Sequence, residues 1–143
     1  MSRGYAAVGL FSPKTDANVG GVLRASMCFG ASMVAIQGAR YRKQSTDTMR
    51  AYRQIPLLHG DLRDLVPFDC VPVAVDLIDG ATPIEQYQHP ERAFYIFGPE
   101  DGTLGKAITG WCRDTIVIPS LHCLNLAAAV NVVLYDRAAK QLT

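Results

Sequence analysis

The sequence lacks any apolar run near the roughly 18 residues that a membrane-spanning helix needs. Its most apolar stretch, residues 124–135, is interrupted by Asn125 and Asn131. The four cysteines form no CxxC pair and are not grouped with the three histidines, which argues against a disulfide framework or a structural zinc site. We therefore expect a cytoplasmic protein of the reducing cytosol, with no metal and no membrane partner.

The chain also lacks repeats, low-complexity tracts and linkers, so its 143 residues are predicted to form one domain, 1–143. The net charge of +1 indicates nothing by itself, but its distribution is uneven. Residues 1–63 carry +6 and residues 64–143 carry −5. This asymmetry fits an anionic partner on one face, and a solvated surface of mixed charge explains it about as well.

Five short β-rich runs are spaced along the chain, and most are continuously apolar, as in strands that are covered on both faces. They are residues 5–11, 32–36, 71–77, 93–97 and 115–118. Helical segments fall between them. The alternation predicts an α/β fold, with a mainly parallel sheet flanked by helices.

Three helices are predicted between or after these strands. The first has Asp16 or Asn18 as its cap and ends before Gly30. The second begins at Thr103 and runs to about residue 112, and the third covers about 124–140. Residues 38–69 indicate only short elements and loops. Ligands of an open parallel sheet bind beyond the carboxyl ends of its strands, where residues 12–13, 98–102 and 119–120 are expected.

The first segment whose residues could take part in chemistry is Asn18-Val19-Gly20-Gly21-Val22-Leu23-Arg24. Two glycines in a helix cost roughly 1 kcal/mol each relative to alanine, so close packing or ligand approach is expected there. Arg24 lies among apolar neighbours in the sequence. It is a candidate functional residue, and the alternative is a structural ion pair with Asp16 or Glu100.

The second segment is residues 97–105, a strand leading through glycines into a helix. It resembles a phosphate-binding turn. Glu100 and Asp101 oppose a phosphate, however, and the lysine of a P-loop is missing. The glycines could expose backbone groups to a cofactor while Glu100 fixes an arginine, or the segment could be a plain connection.

Two further segments carry polar or basic residues. The loop at 119–125 contains His122, Cys123 and Asn125; a thiol nucleophile is disfavoured because no orienting acid is evident, and Cys123 could equally be a small buried residue. In the other segment, basic residues are interleaved with tyrosines, which suits contacts to RNA phosphates and bases. A solvated loop would explain these residues as well. The candidate RNA-binding residues of this segment are Arg40, Arg42, Lys43, Arg50 and Arg53.

Taken in order, these segments resemble the SPOUT-class RNA 2′-O-ribose methyltransferases of the SpoU/TrmH type, in a minimal single-domain form. Three motifs carry the resemblance across nearly the whole chain. They are Asn18-x-Gly20-x-x-x-Arg24, Phe97-Gly98-Pro99-Glu100-x-Gly102-x-Leu104, and Ile118-Pro119 followed by Leu124-Asn125-Leu126.

The resemblance implies a deep trefoil knot in the C-terminal part, which general rules of chain topology would not suggest. It implies S-adenosylmethionine as the cofactor, and a homodimer in which the first motif of one subunit meets the cofactor of the other. The cofactor-binding residues it implies are Val75, Leu77, Phe97, Gly98, Gly102, Ile118, Pro119, Cys123 and Leu124.

The resemblance assigns catalysis to Arg24, which a bound phosphate and Glu100 would orient, with Asn18 and Asn125 holding loops and substrate. Arg24 would help to deprotonate the ribose hydroxyl or would stabilise the developing alkoxide. Two features depart from the family pattern: Cys123 replaces the usual serine, and the loop from Pro119 to Asn125 is short. The implied function is RNA 2′-O-methylation, with tRNA the first candidate and rRNA the second. The alternatives are a non-catalytic RNA-binding dimer and an unrelated nucleotide-binding protein.

Overall fold

The computed structural model describes residues 4–41 and 54–141, which build a parallel sheet with helices on both faces. The strands of the sheet lie in the order β3-β2-β1-β6-β4-β7-β5, and every pairing between them is parallel. The strands are β1 Tyr5–Phe11, β2 Val34–Gln37, β3 Leu57–His59, β4 Val71–Val75, β5 Thr82–Pro83, β6 Arg92–Phe97 and β7 Asp114–Val117. The predicted fold class is thus confirmed, whereas the knot stays a prediction.

Five of the seven strands were predicted from their apolar runs, and β1 has the predicted bounds. The prediction missed β3 and β5, which have only three and two residues and stand at the two edges of the sheet. An edge strand of this length contains no periodic pattern, and Pro83 suits an edge because it cannot donate to a ladder. Their pairing depends on the neighbouring strands.

The first helix, α1, covers Asp16–Phe29 and packs against the last helix, α3, which covers Leu126–Gln141. The predicted caps of α1, Asp16 or Asn18, were wrong, because the hydroxyl of Thr15 accepts the hydrogen bond from the Asn18 N–H. Gly30 ends the helix as predicted, in the left-handed conformation. The second helix, α2, is only Lys106–Thr109. The predicted start at Thr103 was wrong, because Gly105, whose φ is 75°, is the N-cap of this helix.

The side chains of the central strands alternate between two apolar layers, one on each face of the sheet. Val8 and Leu10 belong to the layer that includes α1 and α3. Ala7 belongs to the layer that includes Leu62 and α2. Gly9 also faces this second layer, where an added Cβ would lie 2.8 Å from the Phe94 ring. Both faces of the sheet are therefore covered, which explains why the strands are continuously apolar.

At the amino ends of the strands, a buried polar network fastens the end of α3 to the segment before β6. Arg137, which is 5% exposed, donates to the carbonyl oxygens of Pro90 (2.6 Å) and Glu91 (2.7 Å) and to the Tyr95 hydroxyl (3.1 Å). The Tyr95 hydroxyl lies 2.6 Å from His89 Nδ1, and His89 Nε2 lies 2.7 Å from Asp136 Oδ2. Burial raises the pKa of Tyr95 to about 12. This pairing leaves the arginine satisfied in the core.

None of the helices within the described ranges is long and apolar enough to cross a lipid bilayer. Residues 4–41 and 54–141 also contain no group of three or more His, Cys, Asp or Glu side chains that could hold a metal ion.

Candidate active site

A cleft opens at the carboxyl ends of β6, β4 and β7, which are neighbours in the sheet. It contains about 740 Å³ of space that no atoms fill, a volume that includes the open solvent at its mouth. Its walls come from the loops after these three strands and from the start of α3. The lining residues are Val75, Asp76, Leu77, Phe97, Gly98, Pro99, Glu100, Gly102, Val117, Ile118, Ser120, Cys123, Leu124, Leu126 and Ala129.

Eight of the nine residues predicted to bind the cofactor line this cleft. Pro119 is not among the lining residues, although Ile118 and Ser120 on either side of it are. Cys123 lines the cleft and is exposed, so the alternative of a small buried cysteine was wrong. Because these residues come from three separate loops, only the parallel sheet brings them together. Their role in binding stays a prediction.

Gly98 follows β6 directly and lets the glycine turn fold back over the end of the strand. An added Cβ at this position would lie 3.2 Å from Leu104 N and 3.4 Å from Leu104 Cγ, and Leu104 is itself buried. A side chain at position 98 would therefore push Leu104 away. The glycine keeps the backbone of the turn close to the cleft, as the sequence predicted for this segment.

Asp76 lines the cleft and was missed by the sequence analysis, although its neighbours Val75 and Leu77 were predicted. Its carboxylate accepts hydrogen bonds from Leu77 N at 2.9 Å and from Leu104 N at 3.2 Å. A polar side chain immediately after a buried strand was the available signal. Its contact with Leu104, 28 positions away, could not be read from the pattern.

A chain of hydrogen bonds joins one residue from each of the three motifs. Asn18 Nδ2 donates to Glu100 Oε2 at 2.7 Å, and Asn125 Nδ2 donates to Asn18 Oδ1 at 2.9 Å. Glu100 also accepts from Lys14 N at 3.1 and 3.2 Å. Glu100 lines the cleft, so these hydrogen bonds connect the start of α1 and the start of α3 to the cleft wall.

The role that was considered for Glu100 differs from its contacts. The sequence suggested that Glu100 fixes an arginine, but its carboxylate binds Asn18 and the backbone of Lys14. The neighbouring Asp101 is the acid that binds an arginine, Arg40. Glu100 thus joins the start of α1 to the glycine turn, and its implied role of orienting Arg24 stays a prediction.

Arg24 lies on the exposed side of α1, away from the cleft of its own chain. It makes no ion pair with any residue in the described part of the chain, so the predicted alternative of a structural pair with Asp16 or Glu100 is not formed there. Cys28, one turn further along α1, is exposed on the same side. The guanidinium is therefore presented to the outside of the chain.

Of the basic residues predicted to bind RNA, Arg40 is described, while Arg42, Lys43, Arg50 and Arg53 lie outside the described residues. Arg40 makes two bonds to the carboxylate of Asp101, at 2.7 and 3.1 Å, and its Nε donates to the carbonyl oxygen of Ser12. This bond to Arg40 lowers the pKa of Asp101. Arg40 thereby links the loop after β2 to the glycine turn beside the cleft.

Solved structures with the same fold include several methyltransferases. An AdoMet-bound rRNA methyltransferase from Sinorhizobium meliloti superposes with a TM-score of 0.85 at 21% identity, covering 98% of this chain and 58% of that protein. The TrmH/SpoU tRNA modifying enzyme of A. aeolicus gives a TM-score of 0.85 at 16% identity, covering 98% and 77%. A structure described as giving insights into 2-OH methylation of C/U34 on tRNA gives 0.82 at 21%, covering 100% and 94%.

These likenesses establish the fold. The chain spans only about three fifths of the Sinorhizobium protein. A comparison with curated proteins gave no match. The sequence model of the SpoU rRNA Methylase family, in contrast, matches residues 5–135, which is most of the chain and includes all three motifs. The chain therefore belongs to the SpoU rRNA methylase family, a family of RNA methyltransferases.

Proposed function

We propose that the protein uses S-adenosylmethionine to methylate the 2′-hydroxyl of a ribose in RNA, with tRNA as the first candidate substrate. The observation that carries this proposal is the convergence of three separate loops on one cleft, with Asn18, Glu100 and Asn125 hydrogen-bonded in a chain beside it. Asn18 belongs to α1 and Asn125 directly precedes α3, and these two helices pack together, so the cleft and the first motif form one unit.

The residues of the cleft fit this cofactor. The walls are mainly apolar, which suits an adenosyl group. The charged side chains that line the cleft within the described residues are both acids, Asp76 and Glu100. Acidic groups favour a ligand with a positive sulfonium and a positive amino group, and they disfavour a phosphate. When bound, the cofactor supplies an electrophilic methyl group.

The chemistry requires the ribose 2′-oxygen to attack that methyl carbon as the carbon–sulfur bond breaks. In that transfer the hydroxyl proton would pass to solvent water, and the carbon–sulfur bonding pair would stay on the leaving neutral thioether. A guanidinium cannot take up the hydroxyl proton, because it is already protonated and has no acceptor site. Arg24 therefore acts by stabilising the developing negative charge on the oxygen and by orienting the adjacent phosphate. Asn18 and Asn125 hold the loops in place.

We further propose that Arg24 serves the cleft of a second copy of the chain. The guanidinium lies outside its own cleft. On α3, which packs against α1, Val132 and Tyr135 are 37% and 61% exposed, and the rings of Tyr135 and Phe29 are 6.1 Å apart. Apolar residues on two packed helices suit a two-fold interface, in which each copy completes the site of the other.

RNA as the substrate, tRNA in particular, rests on the family and on the basic segment that begins at Arg40. A relative of nearly the same length is described as acting on tRNA, and this chain covers 94% of it. We propose a cytoplasmic location for this modification of RNA. We expect neutralisation of Arg40, Arg42 and Lys43 to weaken RNA binding and to reduce its salt dependence, because each lost phosphate contact reduces the number of released counterions.

Calorimetry with S-adenosylmethionine, followed by transfer of a labelled methyl group to total tRNA and to rRNA, tests the function. We expect saturable binding, transfer to tRNA, and one phosphodiester position that becomes resistant to alkaline hydrolysis. RNA binding without transfer would favour the non-catalytic alternative. The absence of cofactor binding would contradict the proposal, and transfer to a base would contradict the ribose as target.

A further inference from the structure

Asp76 lies in the loop after β4 and contacts the glycine turn and the strand β7, although it belongs to none of the three motifs. It follows the last residue of β4, and its backbone N–H donates to the carbonyl oxygen of Ile116 in β7 at 3.0 Å. One carboxylate oxygen, Oδ1, accepts from Leu77 N at 2.9 Å, and the other, Oδ2, accepts from Leu104 N at 3.2 Å. A single side chain thus joins the loop after β4 to the end of the glycine turn that follows β6.

The position of Leu104 makes this contact matter for the shape of the cleft. Leu104 is 3% exposed, and its backbone nitrogen lies over Gly98, where even a methyl group would come within 3.2 Å. The turn therefore keeps this position for two reasons. Gly98 has no side chain that would push Leu104 away, and the carboxylate of Asp76 accepts a hydrogen bond from Leu104 N. Gly98 and Gly102 of the same turn line the cleft.

A carboxylate suits this position better than an amide would. Both of its oxygens accept, so two backbone N–H groups are satisfied at once. An asparagine has one accepting oxygen and one donating NH₂, so one of the two N–H groups would face a donor. The partner left without an acceptor would then be Leu104 N or Leu77 N, and the geometry of the loop would have to change.

We propose that Asp76 is a positioning residue, whose carboxylate holds the glycine turn in the conformation that binds the methyl donor. The assignment rests on the proposed function, because it concerns the same cleft. Asp76 acts through Leu104 and the turn.

The test compares Asp76→Asn with Asp79→Asn, which removes the same charge from an exposed position three residues further along the same loop. Hydrogen exchange of the cofactor-free protein should show the amide of Leu104 and the turn at 98–104 exchanging at least about tenfold faster in Asp76→Asn only. Calorimetry should show an affinity for S-adenosylmethionine about tenfold lower or worse in Asp76→Asn, and unchanged in Asp79→Asn.

Unchanged exchange at Leu104 would overturn the assignment, and so would faster exchange with an unchanged cofactor affinity. If the wild-type protein does not bind S-adenosylmethionine, the proposed function fails, and the exchange data alone then decide whether Asp76 holds the turn. Should Asp76→Asn not fold, Asp76→Ser serves as a second variant: its hydroxyl still accepts from Leu77 N, and the same loss of protection is expected at Leu104.

Discussion

The two ends of the sheet use similar polar groups for opposite purposes. At the amino ends, Arg137, Tyr95 and His89 satisfy one another in the core, and their side chains are at most about one twentieth exposed. At the carboxyl ends, Asn125 and Cys123 are exposed, and the carboxylates of Asp76 and Glu100 face an open cleft. The helix α3 runs from one end to the other. The buried network at the amino ends therefore holds α3 in place, while the polar groups at the carboxyl ends face the cleft in which a ligand can bind.

The largest effect is expected at the closed end, from Arg137→Ala. Removal of the guanidinium takes away its bonds to the Pro90 carbonyl oxygen, to the Glu91 carbonyl oxygen, which keeps Tyr5 N, and to the Tyr95 hydroxyl, which keeps His89. We expect the free energy of unfolding to fall by about 3–5 kcal/mol, measured by urea denaturation. Arg63→Ala, at an exposed arginine, is the control and should change it little. A loss below 1 kcal/mol for Arg137→Ala would mean that the network does not hold α3.

The next effect is expected at the open end, from Arg24→Ala. Methyl transfer should fall by about 10²–10³-fold, because the charge that develops on the ribose oxygen loses its stabilising partner. The affinity for S-adenosylmethionine should stay within severalfold of wild type, since Arg24 does not line its own cleft. The free energy of unfolding should change little. Arg113→Ala, at the amino end of β7, is the matched control.

Mixing variants tests whether Arg24 acts across a dimer. A variant with Arg24→Ala is mixed with a variant with Gly98→Trp, whose side chain would push Leu104 away and displace the glycine turn of its own cleft. Heterodimers would contain one intact cleft facing one intact Arg24, so the mixture should regain part of the activity that both variants lack. No regain in mixtures that do exchange subunits would place Arg24 in the cleft of its own chain.

A smaller effect is expected between the ends, from Gly21→Ala. The added Cβ would lie 2.8 Å from Ala127 Cβ in α3. Overpacking costs about 1–3 kcal/mol, and the better helix propensity of alanine returns about 1 kcal/mol, so a net loss of about 1 kcal/mol is expected. The double variant Gly21→Ala with Ala127→Gly moves the methyl group to the other helix and should restore stability. If the double variant is no more stable than Gly21→Ala, this contact does not set the spacing between α1 and α3.

The smallest effect is a pH dependence at the closed end. Burial lowers the pKa of His89 below its usual 6.5, against the opposing effect of Asp136. As the pH falls through 6.5, His89 therefore takes up a proton in the unfolded chain before it does so in the folded protein. The free energy of unfolding then falls by about 1 kcal/mol per pH unit until the pH reaches the lowered pKa. His89→Gln should show a shallower loss between pH 7 and 5.5 by urea denaturation. His59→Gln, at an exposed histidine, should keep the wild-type slope.

Long apolar runs were sufficient to predict the central strands, because a strand buried on both faces must be apolar throughout. The end of α1 was predictable in the same way, since Gly30 adopts the left-handed conformation that glycine favours. The start of α1 was assigned one to three residues too late, because Thr15, Asp16 and Asn18 are all residues that can cap a helix. The length of α2 was overestimated, because the glycines on either side of it were read as part of the helix.

For the candidate site, motif residues were found because they combine glycine with polar groups at the ends of strands. The bond between Asn125 and Asn18 spans 107 positions, and the bond between Asp76 and Leu104 spans 28. Neither follows from spacing, because each depends on where two loops lie after the sheet has formed. The pairing of Arg40 with Asp101 was missed for the same reason, since Arg40 by itself has the properties of an RNA contact.

The sequence by itself determined the α/β class, the central strands and the glycines that turn the chain, because burial and backbone conformation act on neighbouring residues. Only the tertiary structure decided which carboxylate holds which loop, which arginine faces outward and which histidine is buried. Those outcomes depend on distances between segments that are remote in the chain, and a parallel sheet sets such distances through the order of its strands.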